Sequence, residues 1–303
     1  AIRTLASAAP SALLAIRLVE TLRNAGLSHV HVGSCGRSAE IASIAARISD
    51  ITYSLSMLGP RFATYGQRHK FKWAKARFGL FQSRQLLDEA TSILGECMPA
   101  LAAVAPVGVD TERMRRNVPY VPWTPGSTCR LYTCGRLNPI KGHEDVIAAV
   151  SILRKRGLDA RLRIGGEDER GGRGYRRTIE SYIETSGMRD FVQLLGAVSE
   201  SQNFIEYQSA HVYVMGSLNE AAGAVAAMEA MSLEVPVVMP GTGATPELIS
   251  HGTSGLLVSA RSPNEIADAI QALLGDQAFA ERIRAAGRSK ILDEFSHRRS
   301  ALA

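Results

Sequence analysis

Short runs of apolar, β-branched residues alternate with stretches of helical period from one end of the chain to the other. That alternation marks a parallel α/β protein, in which helices cover a sheet. In the first part, strands are predicted over residues 29–33, 51–55, 78–82 and 102–106, and helices over 10–25 and 38–48. A stretch with three prolines and a glycine follows at 117–128 (NVPYVPWTPGST), the composition of an interdomain linker. The alternation then restarts. Strands are predicted at 130–133, 162–164, 191–194, 212–215, 236–239 and 255–258, and a helix places Val146, Val150 and Leu153 on one face. Ser262, Pro263, Asn264 and Glu265 read as a capping box with proline at the first helical position. The helix it opens runs to about residue 274, and another spans 278–294. The expected layout is an α/β chain of two Rossmann-like domains: 1–122, a linker at 123–129, a second domain over 130–285 and a C-terminal helix over 286–303.

At 303 residues, 46% apolar and 21% charged, the chain has the composition of a soluble globular protein. No apolar run approaches the ~18 residues of a membrane-spanning helix. The partly apolar stretch 13–22 is interrupted by Arg17 and Glu20 and lacks a basic leader, so it does not read as a signal peptide. The net charge of +6 suits polyanionic ligands without choosing among nucleic acid, anionic lipid and nucleotide diphosphates. Cys35, Cys97, Cys129 and Cys134 form no CxxC pair, and read as free thiols of a cytoplasmic protein. The histidines fit no metal-ligand spacing, so no metal site is expected.

Chemistry gathers where strands end. Gly135 to Gly142 (GRLNPIKG) joins the 130–133 strand to a helix start, and ligands of open α/β sheets bind outside the carboxyl ends of strands. Two cations beside a helix N-terminus, Arg136 and Lys141, make a site for a diphosphate. They would stabilise the charge that develops on a departing diphosphate more than they stabilise the ground state. Further on, Glu220 and Glu229 bracket a small-residue helix start at 221–227, where backbone amides can approach an anion and carboxylates can accept from sugar hydroxyls. Solvated cations at a turn and surface glutamates on an alanine-rich helix would account for each motif taken alone.

Taken in order, GRLNPIKG, RIGGEDE, VQLLGAVS, SLNEAAGAVAAMEAMSLEVPVV and TPELISHGTSGLLV closely resemble the motifs of glycosyltransferase family 4. The resemblance spans the second half and continues more weakly through residues 53–85 and the loop Ala105 to Asp110. It implies a GT-B fold, two Rossmann-like domains facing across a cleft, and retaining transfer of the kind used in bacterial exopolysaccharide and cell-surface polysaccharide assembly. It implies a nucleotide-diphosphate sugar donor, UDP- or GDP-linked, and a glycan or lipid-linked acceptor. No cofactor or metal is implied, because Arg136 and Lys141 take the metal's place on the diphosphate. By the same resemblance Glu220 meets the donor sugar and Glu229 the ribose. Gly223, Ala224 and Val225 lie where amides approach sugar and phosphates, and Leu194 and Leu195 lie near the nucleobase. Catalysis would thus rest on Glu220, Arg136 and Lys141. The protein is expected in the cytoplasm, at the cytoplasmic face of the membrane if its acceptor is lipid-linked.

Several positions depart from the family pattern. Eight residues separate Glu220 from Glu229 where the family has seven; one residue is ~100° of helix, so Glu220 must lie in the preceding loop to keep its place. The stretch Ser54-Leu55-Ser56-Met57-Leu58-Gly59-Pro60 matches one in which the family carries a cleft-lining histidine at the position of Leu58. Glu234 stands where a helix-ending glycine is usual. Against the family pattern the first domain is expected to lack its first strand and glycine-rich loop, and the C-terminus its returning helix. Two functions therefore stay open: an active transferase, and a truncated or degenerate paralogue that binds nucleotide sugar without efficient transfer.

Other features carry two readings each. Residues 61–77 mix Lys and Arg with Phe71 and Trp73, as a segment resting on an anionic membrane would, or as a solvated helix with its aromatic side turned inward. No nucleic-acid-binding module surrounds them, so nucleic acid is not an expected partner. His29 and His31 alternate on one strand and so share a face. The glycine-rich run 165–174 reads as a mobile loop and not as a dinucleotide fingerprint.

Overall fold

The periodic segments form the elements they predict. The computed structural model describes residues 2–59, 62–220 and 223–302; Pro60 and Arg61 of the first-domain motifs, and Ala221 and Ala222 of the small-residue stretch, lie outside the described residues. Contacts divide the chain into two compact units, one reaching to Pro106 and one made of Val107–Glu220 with Ala224–Leu302.

In the first unit the order is α1 (Ile2–Asn24), β1 (His29–Val32), α2 (Arg37–Ile48), β2 (Thr52–Met57), α3 (His69–Trp73), β3 (Phe78–Phe81), α4 (Arg84–Leu94) and β4 (Leu101–Val104). The four strands pair in parallel in the order β1-β2-β3-β4. Alternation along β2 sends Tyr53, Leu55 and Met57 into a core with Trp73, Phe81, Leu86 and Leu94. Thr52, Ser54 and Ser56 therefore face the other way. There His29 and His31 lie along them, with ring nitrogens 2.7–2.9 Å from the three hydroxyls and both rings stacked near Phe78. The aromatic residues of the basic segment turn inward: Trp73 is buried against Phe81, and Phe71 lies under the guanidinium groups of Arg47 and Arg68. Even Lys72 is buried, donating to the carbonyl of Tyr65 at 2.8 Å. Among the described residues no helix is long and apolar enough to cross a membrane.

The second unit runs β5 (Cys129–Cys134), α5 (His143–Lys155), β6 (Ala160–Gly165), α6 (Tyr175–Thr185), β7 (Val192–Gly196), α7 (Glu200–Ser209), β8 (Val212–Val214), α8 (Val225–Ser232), β9 (Val237–Pro240), α9 (Thr245–Leu248), β10 (Leu256–Val258), α10 (Pro263–Gly275), α11 (Gln277–Glu294) and α12 (His297–Leu302). Its six strands are all parallel, in the order β10-β9-β8-β5-β6-β7. One core, around Leu131, Val150 and Leu162, fills one side of the sheet, and another, around Tyr132, Tyr207 and Met231, fills the other.

Four local expectations change. The proline-rich segment is laid onto the second unit instead of standing free: Arg116 donates to the carbonyls of Leu233 and Gln208, and the Tyr120 hydroxyl donates to the carbonyl of His211. The division consequently falls at Pro106, not at 122. Helix α11 runs unbroken through residue 285, where a boundary was expected. Helix α10 starts at Pro263 as predicted, but Ser262 makes no side-chain cap; Glu265 reaches back instead to accept from the Ser259 amide at 2.7 Å. Glu234 does take the left-handed conformation that the usual glycine would supply (φ +56°), and Arg284 holds it through its carbonyl and carboxylate.

Candidate functional site

In the second sheet the strand order reverses between β5 and β8, and loops leaving adjacent strands in opposite directions open a crevice at their carboxyl ends. The loops that line it, 135–142 after β5 and 215–220 after β8, are held against each other by glycines. Gly142 has φ +59°, and a Cβ on it would sit 2.1 Å from the carbonyl oxygen of Gly216; a Cβ on Gly216 would sit 2.2 Å from that of Gly142. The Leu218 amide donates to Ile140 at 2.7 Å, the Thr242 hydroxyl to Ser217 at 3.1 Å and the Ala244 amide to Glu220 at 2.7 Å.

This lacing brings Lys141 and Glu220 together. Lys141 Nζ lies 2.5 Å from Glu220 Oε1, with side chains only 21% and 9% exposed. Partial burial separates this pair from an ordinary surface contact, because less water screens it. Its ammonium has further donors for an anion, and its carboxylate a further oxygen for a hydroxyl. Glu220 lies outside α8, which begins at Val225, as the Glu220–Glu229 spacing calls for.

Arg136 has a different partner. Its Nη1 lies 2.7 Å from Glu169 Oε1, with both side chains 71% exposed. A pair so exposed is worth at most about 1 kcal/mol and is readily exchanged for a stronger anion. Glu169 sits on the glycine-rich loop after β6, which is an organised arch and not the loose segment expected. The Asp168 carboxylate accepts the backbone amides of Arg170, Gly172, Gly174 and Arg176 at 2.8–3.0 Å. These bonds, that from Arg176 foremost, hold its carboxyl below the usual range. Sequence reasoning missed Asp168; its signal was a carboxylate at the mouth of a glycine run, where amides lack other acceptors. An open groove beside the arch is bordered by Asn138, Pro139, Glu169 and Arg173.

Ala224 is the N-cap of α8, and Gly223 before it has φ +86°. Among the described residues no side chain caps that helix, which leaves its first-turn amides, beginning with the exposed Val225, facing a possible anion. Glu229, one turn further, is half-buried. Its Oε2 accepts from the Tyr207 hydroxyl at 3.0 Å and from Asn203 Nδ2 at 3.3 Å. Leu194 lies in β7 and packs with the core around Ile164, whereas Leu195 packs on the tyrosine side.

Burial pushes the Glu229 carboxyl up; the Tyr207 bond lowers it, Glu200 raises it and the Asn203 bond lowers it. A carboxylate accepts from hydroxyls on both oxygens only when ionised. A ligand held there should therefore bind more weakly as pH falls through this raised value, starting at a higher pH than for an ordinary glutamate. The stability sign is opposite: the folded state holds the proton more tightly than the unfolded one, so this group favours folding as pH falls through the same window. Titration of nucleoside-diphosphate affinity between pH 7.5 and 4.5, values set by the carboxylate range, checks the first statement; a flat profile would refute it.

An open parallel sheet with charged loops converging at its switch point defines a doubly wound α/β fold. Residues 127–290, more than half of the chain, match the family described as glycosyl transferases group 1, and the chain belongs to that family. It is 30% identical over 198 residues to a GDP-mannose-dependent alpha-(1-6)-phosphatidylinositol monomannoside mannosyltransferase of Mycobacterium tuberculosis, covering 60% of this chain and 49% of that protein. It is 34% identical over 169 residues to a D-inositol 3-phosphate glycosyltransferase of Corynebacterium glutamicum, covering 55% and 39%. The chain thus spans half or less of the length of these relatives. In structure it is similar to HepE of Anabaena, solved in complex with UDP, with a TM-score of 0.80, 17% identity, and coverage of 95% of this chain and 79% of that one. The fold is GT-B: two parallel-sheet α/β units.

Proposed function

We propose that this chain is a retaining glycosyltransferase of family 4 that transfers a sugar from a nucleoside-diphosphate donor, UDP- or GDP-linked, to a glycan or lipid-linked acceptor in surface polysaccharide or glycolipid assembly. The observation that carries the reading is the Lys141–Glu220 pair, 2.5 Å apart and laced into the switch-point crevice. Lys141 and Arg136 bind the diphosphate and take up the charge that develops as it leaves, which lowers the barrier to glycosidic cleavage. They do so as fixed cations, so the scheme calls for no metal. Glu220 accepts from a hydroxyl of the donor sugar while its partner ammonium turns to phosphate. The amides at Gly223, Ala224 and Val225 complete the anion site, Glu229 holds the ribose, and the base lies toward Leu194 and Leu195. The acceptor hydroxyl then attacks on the face the diphosphate leaves; its oxygen bonds the anomeric carbon as the bond to the diphosphate breaks, and a phosphate oxygen of the leaving group takes its proton. GDP-mannose in the name of the mycobacterial relative and UDP bound to the Anabaena protein support a nucleotide-sugar donor. A cytoplasmic site of action at the inner face of the membrane suits a lipid-linked acceptor.

The test is a panel of UDP-, GDP- and ADP-sugars offered to the protein with lipid-linked and free glycan acceptors, the product anomer being read by NMR. Transfer with retained configuration supports the reading. Inverted product, or no binding of any nucleoside diphosphate, overturns it.

A second reading, donor binding without efficient transfer, is favoured by Leu58. It stands 50% exposed immediately after β2, where the family motif carries histidine. Leucine cannot hydrogen-bond a sugar hydroxyl. Leu58→His should therefore raise the transfer rate about fivefold, the equivalent of one net hydrogen bond gained, without changing donor affinity. An unchanged rate with intact binding would show that this residue does not limit turnover.

A further inference from the structure

Two side chains converge on Glu229, and a third holds one of them, in a manner that packing alone does not require. Asn203 and Tyr207 lie one turn apart on α7, so both face α8. The single Tyr207 hydroxyl hydrogen is shared between Glu229 Oε2 at 3.0 Å and the Ala226 carbonyl at 2.9 Å, tying the glutamate to the first turn of its own helix. Asn203 Nδ2 donates to the same Oε2 at 3.3 Å. The Asn203 amide can present nitrogen to Glu229 only if its oxygen points elsewhere, and that oxygen accepts from Tyr132 on β5 at 2.6 Å. Tyr132 and Tyr207 are 1% and 0% exposed, and their rings meet edge to face at 5.2 Å. Phenylalanine would fill the same space without a hydroxyl to satisfy. The result is a carboxylate with one oxygen committed to two protein donors and Oε1 without a partner among the described residues. Such outer hydrogen bonds fix a side chain's orientation and leave its remaining lone pairs aimed one way.

We infer that Tyr132, Asn203 and Tyr207 are positioning residues: they lock Glu229 so that its free oxygen meets the vicinal hydroxyls of a ribose, and thereby make the site selective for ribonucleoside over 2′-deoxyribonucleoside diphosphates. The inference rests on Glu229 as the ribose-holding residue proposed above. Without the lock, Glu229 could rotate its carboxylate, and the advantage of the ribose hydroxyls would fall while phosphate and base contacts stayed.

The test compares calorimetric affinities for UDP with 2′-deoxy-UDP, and GDP with 2′-deoxy-GDP, on the full chain. Glu229→Ala should abolish the ribose preference. Tyr207→Phe and Asn203→Ala should each reduce it by about fivefold, the equivalent of one hydrogen bond, with a smaller loss for the deoxy ligand, which keeps only the 3′-hydroxyl. Tyr132→Phe, which keeps both Glu229 donors but frees the Asn203 amide to turn, should reduce it less; it also serves if a stronger variant fails to fold. Equal weakening of ribo and deoxy ligands, or an unchanged preference in all three variants while Glu229→Ala abolishes it, overturns the positioning role. A preference that survives Glu229→Ala, or is absent from the wild type, overturns the ribose assignment of Glu229 and the inference with it.

Discussion

Replacing Lys141 by alanine is expected to weaken nucleoside-diphosphate binding by about 1.5–3 kcal/mol, a loss of one charge-assisted contact and roughly a 10- to 150-fold rise in Kd. Two effects point the same way. The ammonium that would meet phosphate is gone, and Glu220, whose side chain is 9% exposed, is left as a half-sealed negative charge beside the incoming anion. The double variant Lys141→Ala with Glu220→Gln separates them. It should recover part of the loss, because the repulsive carboxylate goes with its partner. Arg136→Ala should weaken binding in the same direction, because its exposed contact with Glu169 is easily given up for phosphate. Calorimetry showing unchanged affinity in both single variants would remove the diphosphate site from these loops.

Gly142→Ala should lower the stability of the second unit by roughly 2–4 kcal/mol, from a left-handed backbone and overpacking together. The new Cβ would lie 2.1 Å from the Gly216 carbonyl oxygen, and a backbone cannot swing aside as the end of a side chain can. The two loops must part, and Lys141 and Glu220 part with them. Ligand binding should therefore fall further than the loss of stability alone explains. Gly275→Ala is the control, since a Cβ there meets nothing within 4 Å and the residue closes α10 without a positive φ. Denaturant melts that place the two variants together would show that the loops are not locked through these glycines.

Much of the frame was legible in the chain. Each predicted strand recurs within a residue or two of its place, because a strand's burial pattern is written in consecutive residues. Gly135 to Gly142 stood out because a glycine-flanked pair of cations after a strand is a local pattern. The spacing of Glu220 and Glu229 favoured a place for Glu220 before the helix, where it lies. The misreadings have a common cause. The proline-rich segment looked like a free linker because its partners, Gln208, His211 and Leu233, lie some ninety or more residues away along the chain. The glycine-rich run looked mobile because four backbone amides converging on one Asp168 leave no periodic trace. The capping box at Ser262 failed because the motif does not say which amide the glutamate will reach.

The kinds and order of the elements, the family, and the residue types available at the strand ends can all be read along the chain, since they depend on neighbours in it. Which side chains meet is settled by the fold. Lys141 and Glu220 are 79 positions apart and pair because β8 lies beside β5 in the sheet, an outcome of crossover topology that no local pattern contains. For the same reason the chain from Tyr132 through Asn203 to Glu229 was invisible beforehand: it joins β5, α7 and α8, and each residue taken alone reads as ordinary core or surface.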